Sequence, residues 1–288
     1  MSYTQAKINH IASYVLVIKP RETLLLAFIG ICTALIASSW ALQPQKFLLL
    51  IFALTLGSAG CNGLTNYLDR HIDARMQRTR SRVLSRGLIK PAEKAFLLII
   101  PLILMALLLA WLLSPICFVF GIVGVLASAL WRKTITCTFF GIIAGCSPVL
   151  IGWFAFNTEF NITILLICVM VALWIPVHVW SVIVAKKEEY TAAGLAYFPI
   201  NLSTRKIIAA IFVMTCLLLV VSVLLYIFRL FGMIYLIPAI VLGGIMFAST
   251  LRLLMNRSPT LSWKVYKLSS FPYLGICFIA MAFDKLFS

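Results

Sequence analysis

Long, uninterrupted apolar runs are the feature that most constrains the fold of this 288-residue chain. A helix needs roughly 20 apolar residues to cross the hydrocarbon core of a bilayer. Nine runs of about this length occur, at 23–43, 47–68, 95–113, 115–131, 137–156, 161–185, 207–228, 231–251 and 268–286. The runs are too continuous for the strands of a membrane barrel, in which apolar and polar residues alternate. They must therefore be helices, because backbone N–H and C=O groups in lipid cannot be left without hydrogen bonds. The sequence therefore predicts an all-α polytopic membrane protein, a bundle of about nine transmembrane helices.

The charged residues lie almost entirely on one side of this predicted bundle. The formal net charge is +16, which in a soluble protein would suggest nucleic-acid binding. With the N-terminus in the cytoplasm, 21 of the 24 Lys and Arg residues fall on the cytoplasmic side, in line with the positive-inside rule. An anionic membrane surface or an anionic substrate explains such a basic side, so no nucleic-acid partner is expected. Six of the eight acidic residues lie there too, which predicts an active site at the cytoplasmic face.

The segment before the first run has neither a compact signal-peptide core with a small-residue cleavage site nor the Arg- and Ser-rich character of a transit peptide. We therefore expect direct insertion into a prokaryotic cell (inner) membrane as a multi-pass protein with a cytoplasmic N-terminus.

The first candidate site lies where the second apolar run ends. At 100° per residue, Asn62, Asn66, Asp69 and Asp73 fall within about 60° on one face of a continuous helix. Two carboxylates four residues apart repel each other, and a divalent cation removes that repulsion. Mg²⁺ prefers oxygen ligands and commonly bridges carboxylates to substrate phosphates. We therefore expect Asp69 and Asp73 to bind Mg²⁺; the alternative is pairing with nearby arginines at a solvated helix end.

The loop after this helix is rich in arginine between Arg75 and Lys90. Arginine binds phosphate oxygens through two parallel hydrogen bonds. Carboxylates for a metal beside arginines for phosphate oxygens predict a diphosphate site, with Arg78 and Arg82 as substrate-binding residues. A membrane-surface anchor is the alternative role for the loop arginines.

A second candidate site follows the sixth run. His178 and Glu189 are eleven residues apart, which would place them on one face of a continuous helix. A histidine within a span is costly unless it is paired or functional, and a buried histidine packed near Trp180 is the alternative. The second and sixth runs both end in carboxylates at the cytoplasmic side. This spacing indicates a weak internal repeat whose two sites face one cavity.

Five sequence motifs together resemble those of one enzyme family. They are Asn66-Tyr-Leu-Asp69-Arg-His-Ile-Asp73 with Met76-Gln-Arg78-Thr79; Lys19-Pro20-Arg21; Ala144-Gly-Cys-Ser-Pro148-Val-Leu-Ile-Gly152-Trp153; Pro176-Val-His178; and Tyr190-Thr-Ala-Ala-Gly194 with Pro199. The set is similar to the haem O synthase (protoheme IX farnesyltransferase) family of UbiA-type intramembrane prenyltransferases. The resemblance covers residues 14–200, and the last three runs match only in hydropathy. The chain departs from the wider superfamily at the second aspartate pair, where Lys186 and Tyr190 stand.

The resemblance implies one transmembrane prenyltransferase domain over 1–288, with a first catalytic loop at about 66–94 and a second at about 178–205. It implies transfer of a farnesyl group from farnesyl diphosphate to a vinyl group of haem b, which gives haem O for terminal oxidases. Mg²⁺ would be the cofactor, and haem b would be a substrate. The partners would be membrane lipid and a haem A synthase or a terminal oxidase. The implied site residues are Asn66, Asp69, Asp73 and Glu189 for catalysis, and Lys19, Arg21, Asn62, Arg78, Arg82, Arg132, Lys133, His178, Lys186 and Tyr190 for substrate binding.

Two other functions stay open. A UbiA-type prenyltransferase acting on a quinone or lipid precursor would use the same diphosphate site with a different acceptor pocket. A transporter of an organic anion would place polar residues along a full path across the membrane. Here the polar residues collect at one face, which argues against transport.

Overall fold

The computed structural model describes residues 10–130, 136–195 and 198–287, and the regular structure of these residues is entirely helical. A 3₁₀ turn at Ala92–Ala95 and a π-helical segment at Ser269–Gly275 accompany the α-helices. The α-helices are α1 (His10–Val17), α2 (Pro20–Ser38), α3 (Pro44–Leu68), α4 (Arg70–Arg75), α5 (Phe96–Leu113), α6 (Pro115–Leu130), α7 (Cys137–Phe156), α8 (Ile162–Ala185), α9 (Lys187–Ala192), α10 (Thr204–Ile227), α11 (Met233–Asn256), α12 (Pro259–Leu268) and α13 (Ile276–Phe287).

Eight helical segments of the described chain are long and apolar enough to cross a membrane. They are Pro20–Ser38, Pro44–Leu68, Ala92–Leu113, Cys137–Phe156, Ile162–Ala185, Thr204–Ile227, Met233–Asn256 and Pro259–Phe287. The ninth apolar helix, α6, has 16 residues, which rise about 24 Å at 1.5 Å per residue, less than the hydrocarbon thickness of about 30 Å. All nine predicted runs coincide with helices, so the all-α polytopic prediction is confirmed, with α6 shorter than a full crossing.

The bounds predicted for the last run were wrong, because the final helical segment begins at Pro259 and not near residue 268. Pro272 lies inside this segment. Proline has no backbone N–H, and its ring crowds the carbonyl four residues earlier. The helix widens there into the π segment, and Ser270 leaves helical geometry with ψ −138°. A hydropathy pattern carries no information about such a local change in helix type.

Two serine hydroxyls compensate for the disturbed backbone at this point. Ser269 Oγ and Ser270 Oγ each donate to the carbonyl oxygen of Tyr266 at 2.9 Å. Side-chain hydroxyls of this kind are one of the ways in which proline is tolerated in membrane helices. Ser269 is completely buried, so the π segment fixes its position inside the bundle.

Helices α2 and α7 pack backbone against backbone. A Cβ at Gly152 would overlap the carbonyl oxygen of Gly30, and one at Gly30 would lie 2.6 Å from the carbonyl oxygen of Pro148. Small residues at such crossings let membrane helices approach closely. The glycines therefore hold α7, which carries the Gly- and Pro-containing motif, tightly against the helix that follows Lys19.

Helices α3 and α8 both break at their polar ends, and the two breaks correspond. Asp69 separates α3 from α4, and Lys186 separates α8 from α9. The N–H of Asp73 donates to the Asp69 carbonyl at 2.8 Å, and the N–H of Tyr190 donates to the Lys186 carbonyl at 3.1 Å. The two elements thus repeat one local structure, with Lys186 and Tyr190 in the places of Asp69 and Asp73.

These breaks contradict the assumption that each site lies on one continuous helix face. Asn62 and Asn66 are on α3, whereas Asp73 is on α4. His178 is on α8, whereas Glu189 is on α9 beyond the break, so no common helix aligns them. Neither break contains glycine or proline, which is why helical periodicity did not reveal it.

Candidate active site

One cavity of about 360 Å³ joins the polar ends of α3 and α8 to the apolar interior of the bundle. This volume is within the range of small-molecule binding sites. The charged lining side chains gather at the polar end: Lys19, Glu22, Asp69, Arg78 and Arg82. The deeper lining is mainly apolar and includes Leu54, Ile103, Leu107, Phe120, Ile151 and Ile175. A single chamber can therefore hold a molecule that is anionic at one end and apolar at the other.

Asp73 is buried beneath the cavity and paired with arginine. Its side chain is 0% exposed, and Arg82 Nη1 donates to its Oδ2 at 2.5 Å. Thr79 Oγ1 also donates to the Asp73 backbone carbonyl at 3.0 Å. Asp73 therefore pairs with an arginine, as in the alternative considered from the sequence, but at a buried and not a solvated helix end; Asp69 is almost as deeply buried at 9% exposure. Asp69 lines the cavity, whereas Asp73 reaches it through Arg82.

Asn66 adds an oxygen atom to these carboxylates. Its Nδ2 donates to the carbonyl of Val17 at 3.0 Å, whereas its buried Oδ1 has no hydrogen-bond partner among the described residues. No group of three His, Cys, Asp or Glu side chains in the described ranges could hold a metal ion alone. Two carboxylates and an amide oxygen nevertheless suit Mg²⁺, which usually completes its shell with substrate phosphates and water.

Lys19 is positioned by the start of α2. It has a left-handed backbone (φ 48°), and Pro20 begins the helix directly after it, where a missing N–H does no harm. Its Nζ donates to Thr65 Oγ1 on α3 at 3.2 Å. Burial and, to a smaller extent, the nearby Arg82 lower the pKa of Lys19 to about 8, against the opposing effect of the surrounding carboxylates. An anion in the cavity would favour the charged ammonium at this position.

The two polar loops are joined through Arg78. Glu189 Oε1 accepts a hydrogen bond from the Arg78 backbone N–H. The Arg78 side chain also bonds to the phenol of Tyr190, whose pKa is raised by burial against the opposing effect of this arginine. The first loop itself is packed, because Met76, Val83 and other apolar side chains within it are buried. Glu189 and Tyr190 therefore place the Arg78 guanidinium at the cavity.

His178 lines the same cavity from α8. Its ring stacks on Trp174 at 4.8 Å and 21° between planes, and meets Tyr266 at 4.6 Å. Its Nδ1 lies 3.0 Å from Ser269 Oγ. The aromatic neighbours differ from the Trp180 contact considered from the sequence, since Trp180 Nε1 instead donates to Thr138. The imidazole thus contacts two aromatic rings, Trp174 and Tyr266, which also line the chamber.

The structure brings together most of the predicted site residues. Seven line the cavity: Lys19, Asn62, Asp69, Arg78, Arg82, His178 and Tyr190. Asn66, Asp73 and Glu189 support this lining from behind. Arg21 is exposed and does not line the cavity, and Lys186 Nζ lies over the Trp263 ring, 5.7 Å from its centroid. The predicted substrate-binding residues Arg132 and Lys133 lie outside the described residues.

Sequence reasoning missed several residues of the site. Glu22 and Thr65 line the polar end, and Tyr266 lines the apolar end. Glu22 and Thr65 lie next to motif residues in the sequence, and this adjacency could have identified them. Tyr266 and its neighbour Ser269 lie in the part of the chain where no motif was found.

Comparisons with known proteins agree with this arrangement. Residues 23–271 match the UbiA prenyltransferase family. A curated protoheme IX farnesyltransferase from Desulforudis audaxviator is 33% identical over 279 residues, which cover 94% of this chain and 88% of that protein. Protoheme IX farnesyltransferase 1 from Cenarchaeum symbiosum is 32% identical over 280 residues, covering 93% and 94%.

Solved structures show the same fold at lower sequence identity. A digeranylgeranylglyceryl phosphate synthase structure has a TM-score of 0.80 at 20% identity and covers 96% of this chain and 99% of that one. A UbiA homologue from Archaeoglobus fulgidus, bound to GPP and Mg²⁺, has a TM-score of 0.65 at 16% identity and covers 96% and 100%. With a family match over most of its length and a helical bundle enclosing a cavity of carboxylates and arginines, this chain belongs to the UbiA prenyltransferase family.

Proposed function

We propose that this protein transfers a farnesyl group from farnesyl diphosphate to a vinyl group of haem b, which yields haem O and diphosphate. The observation that carries the proposal is the single chamber with a cationic, carboxylate-bearing end and an apolar end that contains His178. Haem b and farnesyl diphosphate are both amphiphiles with anionic groups. The names of the relatives that align along nearly the whole chain support this acceptor over a quinone or lipid precursor.

The polar end would bind the diphosphate. Arg78 and Arg82 offer planar guanidinium groups, and Lys19 offers an ammonium at the same end of the cavity. Asp69, Asp73 and Asn66 would hold Mg²⁺, which when bound supplies charge neutralisation for a leaving diphosphate. Asn62 would be kept in place by Thr23, whose Oγ1 accepts from Asn62 Nδ2 at 3.1 Å.

The apolar end would receive the isoprenoid chain and the macrocycle. The bond between farnesyl C1 and the diphosphate oxygen breaks, and a carbon–carbon bond forms between C1 and the vinyl group. Water adds to the resulting cation and loses a proton, so the products are the hydroxyalkylated haem, diphosphate and one proton. The apolar walls keep other water away from the allylic cation. The cationic side chains at the mouth hold the diphosphate as it departs.

The cellular setting follows from the charge distribution. We propose that the basic ends of α3 and α8 face the cytoplasm, that the N-terminus is cytoplasmic, and that the membrane is a prokaryotic inner membrane. Residues 1–288 would form one domain, with catalytic loops at about 66–94 and 178–205. A haem A synthase or a terminal oxidase would take up the product.

The decisive experiment is an assay of the purified protein in lipid nanodiscs with haem b, farnesyl diphosphate and Mg²⁺. Chromatography with mass detection should show a heavier, more apolar haem that is absent when EDTA replaces Mg²⁺. A matched reaction with a quinone precursor or a glycerol phosphate acceptor tests the other acceptor class. Prenylation of that acceptor, with haem b unchanged, would overturn the proposal.

A further inference from the structure

The hydrogen bonds around Ser269 determine which nitrogen of His178 carries the proton. Ser269 Oγ has one hydrogen, and it is 2.9 Å from the Tyr266 carbonyl, which can only accept. With that hydrogen donated to Tyr266, the contact of 3.0 Å to His178 requires the histidine to donate from Nδ1. The opposite tautomer would need the same hydroxyl hydrogen for His178 and would forfeit the bond to the carbonyl. The network is therefore complete only with Nδ1–H.

The other edge of the imidazole then meets the cavity. His178 is a lining residue, whereas Ser269 is completely buried and is not part of the lining. Nε2 lies on the side of the ring away from Nδ1, and the described residues give it no hydrogen-bond partner. Trp174 stacks on the imidazole, the Tyr266 ring lies 4.6 Å away at a tilt, and the Trp174 indole N–H donates to the Ser269 carbonyl. Contacts from α8 and from the last helical segment therefore hold the ring in orientation.

We propose that Ser269 is a positioning residue that keeps His178 in the Nδ1–H tautomer, so that Nε2 is an axial ligand for the iron of the haem substrate. The inference rests on the proposed function, because it concerns haem b in this cavity. Metal-binding histidines usually donate their second ring N–H to an oxygen, which fixes the tautomer and raises the basicity of the ligand. The π segment caused by Pro272 has a role in this arrangement, since it places Ser269 opposite His178. Interruptions of this type are frequent at functional sites.

Ser270 provides a matched control. Its hydroxyl donates to the same Tyr266 carbonyl at the same distance of 2.9 Å, and it has no contact with His178. Ser269→Ala and Ser270→Ala therefore each remove one hydrogen bond to the same carbonyl, and only the first also removes the partner of the imidazole. Ser269→Cys keeps the side-chain volume but has a poor acceptor, so it replaces the alanine variant if that variant does not fold. Ser269→Thr retains the hydroxyl and should rescue.

The experiment titrates the full chain in nanodiscs with haem b and follows the Soret band, and then records the iron–histidine stretching band of the reduced complex by resonance Raman spectroscopy. Ser269→Ala or Ser269→Cys should raise the Kd for haem by about tenfold or more, the usual effect of losing such a partner. The stretching band should shift to lower frequency. Ser270→Ala and Ser269→Thr should stay within about twofold of the unchanged protein, and His178→Ala should lose the band.

The outcomes separate the two proposals. If the unchanged protein binds haem with an iron–histidine band, and Ser269→Ala and Ser270→Ala give equal Kd values and equal bands, the role of Ser269 is refuted while the proposed function stands. If His178→Ala retains the band, the ligand is another residue and the inference is refuted. If the unchanged protein neither binds nor prenylates haem b, the proposed function fails and this inference fails with it.

Discussion

Replacement of Asp73 by asparagine should affect both folding and catalysis, whereas the same change at Asp69 should affect mainly catalysis. Asp73 is fully buried and accepts a 2.5 Å hydrogen bond from Arg82, so Asp73→Asn leaves an arginine without its counter-charge. Asp69 lines the cavity, where its charge would serve the proposed diphosphate site. The two carboxylates, four residues apart in the sequence, therefore have different physical surroundings.

The size of the effect follows from the exposure of the pair. Removal of one partner from a completely buried ion pair costs about 3–5 kcal/mol. Arg82 keeps 27% of its side chain exposed, so water can solvate the released guanidinium and reduce this cost. We therefore expect Asp73→Asn to lower the free energy of unfolding by about 2 kcal/mol, a typical value for a hydrogen bond to a charged group.

A double-mutant cycle measures the pair directly. Unfolding of Asp73→Asn, Arg82→Gln and the double variant in mixed micelles should give a coupling energy above about 1 kcal/mol. Asp69→Asn should lose less stability than Asp73→Asn but lose more than tenfold in kcat, which corresponds to about 1.4 kcal/mol or more. A coupling energy near zero, or an equal loss of stability in Asp69→Asn, would refute the assignment of separate surroundings.

Four further predictions concern the cavity mouth. The kcat/KM for the prenyl diphosphate should fall as the pH rises through about 8, because Lys19 loses its proton there. Lys19→Arg should remove this fall, since arginine stays protonated. Identical pH profiles for the two proteins would contradict the role of the ammonium. Lys19 loses its proton at about pH 8 in the folded chain but keeps it up to about pH 10.5 in the unfolded chain. Because the unfolded state binds more protons between these two values, the contribution of Lys19 to the free energy of unfolding should increase with pH across that window, which a thermal-shift series measures. Glu189→Ala should raise the KM several-fold and speed proteolysis of the first loop, because the Arg78 N–H loses its acceptor. Glu189→Gln keeps an acceptor and should retain most activity. An equal loss of activity in both variants would indicate a catalytic or metal-binding carboxylate. Arg78→Ala should raise the KM for farnesyl diphosphate more than Arg86→Ala, since Arg86 is exposed and does not line the cavity, and equal KM values would contradict the assignment.

The sequence was most informative where the physical signal is local. Apolar length predicted the nine apolar helices of the bundle, because this signal needs no knowledge of neighbouring segments, whereas the helices α1, α4, α9 and α12 were not predicted. The motif around Asn66 and Asp69 predicted the polar end of the cavity for a similar reason, since its residues lie within two helical turns. Arg78 and Arg82 were also identified, and both line the cavity as expected.

The sequence was least informative where a contact joins distant segments. Glu189 bonds to the backbone of Arg78, 111 residues away, and His178 meets Ser269 over a separation of 91 residues. No periodicity connects such positions, and neither Ser269 nor Tyr266 belongs to a recognised motif. The helix breaks at Asp69 and Lys186 have no glycine or proline to indicate them. Tertiary packing decides all of these features.

The correspondence between the two broken helices explains the chemistry of the polar end. Both halves place a turn and a short helix at the same level, but one carries Asp69 and Asp73 and the other Lys186 and Tyr190. Tyr190 bonds to the side chain of Arg78. The second element therefore holds an arginine of the first loop, whereas the corresponding positions of the first element carry carboxylates. The carboxylates and the tyrosine that holds Arg78 thus come from one local structure used twice. A diphosphate at this end would meet Mg²⁺ held by the carboxylates and the guanidinium groups of the first loop, and the apolar chamber with His178 would remain for the acceptor.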